Sequence, residues 1–145
     1  MDRKRELVSF IRKNRGQSVI EFALVLPLLL LILFGITEFG RAWMAISVLT
    51  SAAREGCRLA VVTAPDVPAV TNRVTEVCSA AGITATSPFC RLSSITVTPP
   101  AANDPERRTT VVVQASFRII PGEILGTFSG TFPLRATSVM RHESL

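Results

Sequence analysis

The hydrophobic positions form one long run near the N-terminus, with Glu21 as its single charged residue, and several short periodic segments after it. The run covers residues 19–36, about eighteen residues or roughly 27 Å of helix at about 1.5 Å per residue. That length is close to a hydrocarbon core of about 30 Å, so the run predicts a membrane-spanning helix. A removable secretory signal has a shorter apolar core followed by a small-residue cleavage site, and Thr37 to Arg41 offers no such site.

The helical period continues beyond the run. Apolar and small residues recur there at alternating steps of four and three: Phe39, Trp43, Ile46, Thr50, Ala53, Cys57 and Ala60. We therefore predict one helix over residues 17–62, with a membrane span at 19–36 and an extension at 37–62. The stripe on this extension is suited to packing against a sheet or a neighbouring helix.

Residues 63–145 predict a separate small domain that begins with a short helix. Asp66 is a plausible N-cap and Pro68 fits the first turn. Valines and an alanine then line one side (Val70, Val74, Val77 and Ala81), and Gly82 can end the helix. The pattern predicts a helix from Pro68 to Ala81.

Three β-strands are predicted after this helix, at Ile95–Thr98, Val111–Ile119 and Thr131–Arg141. The segments between them, the polar turn 101–107 and the partly apolar loop 121–128, are too short for helical crossovers, so the strands should pair antiparallel. The predicted fold class is α+β: a long N-terminal transmembrane, pilin-type helix followed by a small domain with a short helix and a three-stranded antiparallel sheet.

The charge distribution gives the orientation of the membrane helix. The chain has a formal net charge of +5, and residues 1–16 contain six Lys or Arg and two acidic residues, which leaves +4 in this leader and +1 after it. Because Lys and Arg stay on the cytoplasmic side, the N-terminus is predicted inside and everything after Ile36 outside. The basic excess is therefore a topology signal, and a nucleic-acid partner is not predicted.

A carboxylate opens the apolar helix. An acidic residue at mid-membrane depth costs about 2.5 to 3.5 kcal/mol on insertion scales, although less near the interface. The sequence from Arg15 through Gly16, Gln17 and Glu21 to Phe22 resembles a type IV prepilin cleavage site, in which a peptidase cuts after Gly16 and frees the amine of Gln17. Our hypothesis is that Glu21 of one subunit pairs with the Gln17 amine of a neighbour, and that Phe22 belongs to the same subunit contact. An ordinary signal anchor, with Glu21 reaching the headgroups, is the alternative.

Three segments together resemble the TadE-like family of tight-adherence (Flp) pilus systems. They are Gly16 to Phe22, Glu38-Phe39-Gly40-Arg41-Ala42, and Leu49 to Arg58 with its Ala-Ala-Arg-Glu-Gly run. The resemblance implies a single-pass inner-membrane minor pilin, or pseudopilin, with its C-terminal domain in the periplasm. It also implies that a prepilin peptidase, other pilins or pseudopilins and inner-membrane platform proteins are its partners. The family commonly has a small apolar residue where this chain has Cys57.

The remaining chemistry is sparse. An oxidising outer compartment permits a disulfide, for which Cys78 with Cys90 is the preferred pair, although pairing of Cys57 with either stays open. His142 is the single histidine, and no Cys or His pair has metal-ligand spacing, so neither an enzyme nor a metal or cofactor is predicted. Besides the cleaved pilin, two alternatives remain: an uncleaved membrane-anchored adaptor and a secreted binding module.

Overall fold

The computed structural model describes residues 3–62, 66–104, 106–120 and 130–142, with side chains from Gly16 onward. The chain divides into two compact units, Met1–Thr37 and Glu38–Leu145. Helix α1 extends over Arg3–Val62 and continues through Pro27. It begins earlier than the predicted residue 17 because the leader has no glycine or proline before Gly16 and is rich in Arg and Lys, which favour helix.

The buried side of α1 in the second unit differs from the predicted stripe. Ala53, Cys57 and Ala60 are fully buried as predicted, whereas Phe39 and Trp43 are 70% and 68% exposed. Before Ala53 the buried positions are instead Leu49 and Ala45, with Ala52 beside them. The predicted stripe was wrong here because steps of four and three average 3.5 residues, and a straight α-helix drifts away from that repeat by about 20° per heptad.

Helix α2 covers Val67–Ala80, one residue earlier at each end than predicted. Asp66 stands at the N-cap with extended backbone, although its side chain makes no capping hydrogen bond. The helix stops at Gly82, whose φ of 77° suits a residue without a Cβ and whose N–H donates to the carbonyl of Ser79 at 2.9 Å. Val70, Val74 and Cys78 form its buried side.

The three strands form one antiparallel sheet in the order β1-β2-β3, which confirms the α+β fold class. Their bounds are β1, Cys90–Thr98; β2, Arg108–Arg118; and β3, Thr131–Arg141. The bounds of β3 match the prediction, and β2 is shifted towards its N-terminal side. The apolar loop predicted at 121–128 lies outside the described residues.

Strand β1 is five residues longer than the predicted Ile95–Thr98, because it starts at Cys90. The register shifts between Leu92, which pairs with Ala115, and Ser94, which pairs with the next residue of β2, Gln114. The extra residue at this bulge changes the phase of the strand, so that Leu92 and Ile95 both contact the core although they are three residues apart. Apolar and polar residues therefore do not alternate regularly along β1, and the sequence pattern predicted only its second half.

The connection between β1 and β2 is a polar turn, as predicted. The carboxylate of Asp104 accepts hydrogen bonds from the backbone N–H groups of Glu106 at 3.0 Å and Arg108 at 3.2 Å. These two bonds lower the pKa of the Asp104 carboxyl group. The Asp104 side chain thus satisfies one backbone donor in the turn and one at the start of β2.

One hydrophobic core lies within the second unit. One side of the sheet, the 45–60 part of α1 and the buried side of α2 contribute to it. Its fully buried members with the largest side chains include Leu49, Val70, Val74, Val111 and Val113. The core therefore packs the 45–60 part of α1 against the sheet.

Candidate functional site

The predicted cleavage segment, Gly16 to Phe22, is regular helix within α1. A Cβ built on Gly16 would meet no atom within 4 Å, and among the described residues the only glycine with positive φ is Gly82. Neither space nor backbone conformation therefore demands a glycine at position 16. Its side-chain-free surface is open to an external partner.

Glu21 and Gln17 lie one helical turn apart on α1. The Nε2 of Gln17 donates to Oε1 of Glu21 at 3.4 Å, and both side chains are exposed. An amide is a neutral donor, so this bond leaves the carboxylate charge uncompensated. Phe22 beside it is 61% exposed, and so the predicted pairing residues all face outward from their own chain.

The apolar part of α1 has no packing partner within the described chain. Its most apolar 18-residue window has a mean hydropathy of 2.8, and none of that window is buried inside the protein. Exposed large side chains there include Leu24, Leu28, Leu31 and Ile36. A helix with these properties fits a membrane anchor.

Arg41, which is paired with Glu38 on α1, contacts one aromatic ring just before β1 and another on β2. The guanidinium of Arg41 donates to Oε1 of Glu38 at 2.5 Å and lies 5.2 Å from the ring centroids of Phe89 and Phe117. Phe89 precedes β1 and Phe117 lies near the end of β2. Cation–π contacts of this kind contribute about 0.5 to 2 kcal/mol each, depending on exposure. Sequence reasoning identified the Glu-Phe-Gly-Arg-Ala segment but not this structural role.

Gly56 marks a close approach of α1 to α2 and β2. A Cβ at this position would lie 2.5 Å from Cγ2 of Val74, 3.4 Å from Cγ1 of Val111 and 3.5 Å from Cγ1 of Val70. Helix α2 can pack here only because position 56 has no side chain. The preceding Ala52 and Ala53 are also fully buried; Ala53 was part of the predicted stripe, whereas Ala52 and Gly56 were not.

Replacing Gly56 by alanine should therefore destabilise the protein. We expect a loss of about 1 to 3 kcal/mol, the usual cost of overpacking, partly offset by the better helix propensity of alanine. Thermal unfolding of the full chain in detergent, followed by circular dichroism, measures it. Gly40→Ala is the matched control, because a Cβ at Gly40 meets nothing within 4 Å. Equal melting temperatures for Gly56→Ala and the unmodified protein would refute the close packing.

The three cysteines are buried free thiols. Burial raises the pKa of Cys78, which the nearby Cys90 raises further, and burial also raises the pKa of Cys90 itself. Sγ of Cys57 lies 3.1 Å from the carbonyl oxygen of Ser138 on β3, inside the core. The predicted Cys78–Cys90 disulfide stays a prediction.

The single histidine has a structural partner. Nε2 of His142 and Oγ1 of the buried Thr109 are 2.8 Å apart, and the backbone N–H of His142 donates to the carbonyl of Arg107 at 3.1 Å. Both contacts attach the end of β3 to the start of β2. In the described residues, no group of three or more His, Cys, Asp or Glu is arranged to hold a metal.

These features define a protein with an N-terminal helix that fits a membrane anchor and a small α+β unit built on the end of that helix. Residues 16–58 match the family model described as TadE-like protein, which confirms the resemblance over that segment and implies involvement in Tad pilus systems. The search of curated proteins and the search of solved structures gave no match.

Proposed function

We propose that this protein is a minor pilin, or pseudopilin, that takes part in assembly of a tight-adherence pilus after a prepilin peptidase cleaves it behind Gly16. The observation that carries the proposal is the combination of Gly16, which the fold does not require, with the exposed Glu21 at the start of an apolar helix. Both lie in the segment that matches the TadE-like model.

The glycine is explained by recognition rather than by folding. A peptidase that must reach the backbone between Gly16 and Gln17 is helped by the absence of a side chain at the bond it cuts. Any residue compatible with a helix would satisfy the fold at position 16, since the space around it is open. The basic leader before Gly16 would then remain on the cytoplasmic side of the membrane.

The carboxylate is explained by lateral assembly. Cleavage would give Gln17 a free α-amine, with an ordinary pKa of about 7.7 to 8, which is largely cationic at neutral pH. That amine on a neighbouring subunit can neutralise Glu21, whereas the Gln17 side chain of the same helix cannot. Subunit pairing would thus remove an uncompensated charge from the edge of the bilayer.

The proposed function also implies a location and a set of partners for the protein. The protein would sit in the bacterial inner membrane with its N-terminus in the cytoplasm and residues 63–145 in the periplasm. Its partners would be the peptidase, other pilins or pseudopilins and the platform proteins of the pilus machine. We propose a structural role for it and not an enzymatic one.

Deletion and complementation test the proposed role. Cells that lack this protein should have few or no tight-adherence pili by electron microscopy, and the unmodified chain supplied in trans should restore them. The matched control is the same strain complemented with an empty vector. Normal piliation in the deletion strain would contradict the proposal.

An uncleaved, membrane-anchored adaptor of a secretion or pilus machine is the second candidate. The observation that favours it is the continuity of α1, which extends from Arg3 through Gly16 without a break. An adaptor would keep its leader, so the N-terminus of the mature protein separates the two candidates.

We further propose that Cys78 and Cys90 form a disulfide in the periplasm. Cys78 lies in the last turns of α2 and Cys90 is the first residue of β1, and these two elements are in contact. The two thiols would pass two electrons and two protons to the disulfide of a periplasmic thiol oxidoreductase. Burial raises the pKa of both thiols and so lowers the fraction present as the reactive thiolate.

The disulfide should stabilise the unit by about 3 kcal/mol in the chain-entropy model. We expect that alkylation of the unfolded, unreduced protein labels Cys57 alone, and that peptide mapping finds Cys78 joined to Cys90. Cys57→Ala is the matched control and should leave the pair intact. Labelling of all three thiols in protein purified from native membranes without a reducing agent would reject the pairing.

A further inference from the structure

Four aromatic side chains are exposed on the second unit. Phe39 and Trp43 on α1 stack on each other, with their ring centroids 6.3 Å apart. Phe89, just before β1, and Phe132 on β3 are exposed as well. In the described residues from Glu38 onward, no other Phe or Trp is exposed. The position of these four rings therefore indicates which surface of the unit has an apolar partner.

Two of the rings lie at the same end of the sheet. We call this the near end, where β1 begins, β2 ends and β3 begins, and the opposite end, with the turn 101–107, the far end. Phe89 directly precedes Cys90, which pairs with Phe117, and Phe117 pairs on its other side with Phe132. Phe89 and Phe132 thus flank the buried ring of Phe117 at the near end.

Helix α1 enters the second unit at this near end. Its Arg41 guanidinium lies 5.2 Å from the ring centroids of Phe89 and Phe117. Later in the helix, Cys57 contacts the carbonyl oxygen of Ser138, towards the far end. The near end is therefore the part of the unit that follows directly in the chain after the apolar run 19–36. If that run spans a bilayer, the near end is the part of the unit that its surface can reach.

The two rings on α1 are at a height that suits the headgroup region. Phe39 and Trp43 follow Ile36 by three and seven residues, about 5 and 10 Å of helix. Helical side chains point back towards the N-terminus, so both rings lean towards the apolar run. The headgroups add roughly 5 to 8 Å on each side of the hydrocarbon core. Both rings thus lie within reach of the headgroups.

The other side chains at the near end are compatible with a lipid surface. Met44 is exposed and lines one groove with Arg41 and Phe89. Arg41 is paired with Glu38, so these first turns of the unit present no net charge. Arg91 on β1 is exposed at the same end, and a guanidinium there can bind lipid phosphate groups. The near end thus combines apolar rings with a cation, as membrane-surface segments do.

We propose that the near end of the second unit binds the surface of the bilayer in which α1 is anchored, with its four exposed rings among the phospholipid headgroups. Aromatic side chains are enriched at that level of membrane proteins. Binding of this kind holds the sheet against the membrane, in addition to the attachment through α1. The inference rests on the membrane anchor and depends neither on cleavage nor on pilus assembly.

A protein subunit explains the position of these rings less well than lipid does. Away from the near end, the exposed large apolar side chains of the described unit are aliphatic: Ile46, Val62, Val67 and Val139. Exposed apolar residues of that kind are ordinary on a protein surface. The aromatic side chains are confined to the end that follows the apolar run, a restriction that a lipid partner requires and a protein partner does not.

The fluorescence of Trp43 tests the part of the proposal that concerns α1. It is the single tryptophan of the chain, so no label is needed. In phosphatidylcholine vesicles its emission should lie at shorter wavelength than that of tryptophan in water. Lipid brominated close to the headgroup should quench it strongly, and aqueous acrylamide weakly. Emission as in water overturns the proposal, and so does protection from acrylamide without quenching by brominated lipid, which would indicate a protein partner.

Two variants test the part that concerns the sheet. Trp43→Phe/Phe132→Trp moves the tryptophan to the near end of β3, and Trp43→Phe/Val139→Trp, the matched control, moves it about 23 Å along the same strand. Both positions are exposed, and circular dichroism establishes that both variants are folded. Brominated lipid should quench the first variant strongly and leave the second unchanged.

Flotation of the variants with the vesicles separates this inference from the membrane anchor on which it rests. A chain that does not float contradicts the anchor and the inference with it. A chain that floats, but in which brominated lipid fails to quench at position 132 or quenches equally at positions 132 and 139, contradicts the inference alone.

Discussion

Gly16→Val should accumulate as a full-length, membrane-inserted precursor and should abolish piliation in a strain that depends on this protein. The structure separates this result from a folding defect. A side chain at position 16 meets open space, and valine is tolerated in a helix about as well as glycine. Only a partner that reads the surface around Gly16 would be affected, and in our proposal that partner is the peptidase. Immunoblotting of membrane fractions measures the precursor, and electron microscopy counts the pili.

Gly35→Val is the matched control for that experiment. Gly35 lies in the same helix, and a Cβ there also meets nothing within 4 Å. This variant should be cleaved like the unmodified protein. If Gly16→Val is processed normally and supports normal piliation, cleavage behind Gly16 is not part of the protein's function.

Glu21→Gln should be cleaved normally but should fail to support filaments. Glutamine keeps the size of the side chain and removes its charge, so no neighbouring amine would be attracted to it. The expected change is a large loss of pili with an unchanged amount of mature protein. The loss per interface should be smaller than about 2.5 to 3.5 kcal/mol, the insertion cost at mid-membrane depth, because the cost of a charge falls towards the bilayer edge.

A second variant distinguishes the amine from the side chain of Gln17. Gln17→Met removes the hydrogen bond from Nε2 to Glu21 of the same helix but keeps the α-amine that cleavage releases. We expect it to assemble. Normal assembly of Glu21→Gln would reject the pairing hypothesis, and failure of Gln17→Met alone would transfer the role to the bond within the helix.

The sequence was sufficient where one physical signal dominates. The apolar run at 19–36, the proline near the start of α2 and the alternation of Thr131–Arg141 each correspond to an element of the structure. Hydropathy, turn chemistry and a period of two are local properties, so they can be read without knowing what an element packs against. The TadE-like resemblance was also local, since its motifs lie within one continuous segment.

The sequence was insufficient where packing decides. Trp43 has the character of a core residue but is exposed, because the buried side of α1 follows Leu49 and Ala45 instead. The first half of β1 was not predicted, because the bulge interrupts its alternation of apolar and polar residues. Gly56 could not be assigned a role until Val74 was placed against it. Likewise, the exposed aromatic residues of the second unit are far apart in the chain, and only the fold places them at one end of the sheet.

The intact mass of the protein from its native membranes, combined with its N-terminal sequence, tests the central claim most directly. Our account predicts a single mature form that has lost residues 1–16 and begins Gln17-Ser18-Val19, with its apolar helix retained. A form that begins at Met1 would favour the uncleaved adaptor. A form that begins beyond Phe39 would mean that the helix is removed, and it would contradict both membrane-anchored models.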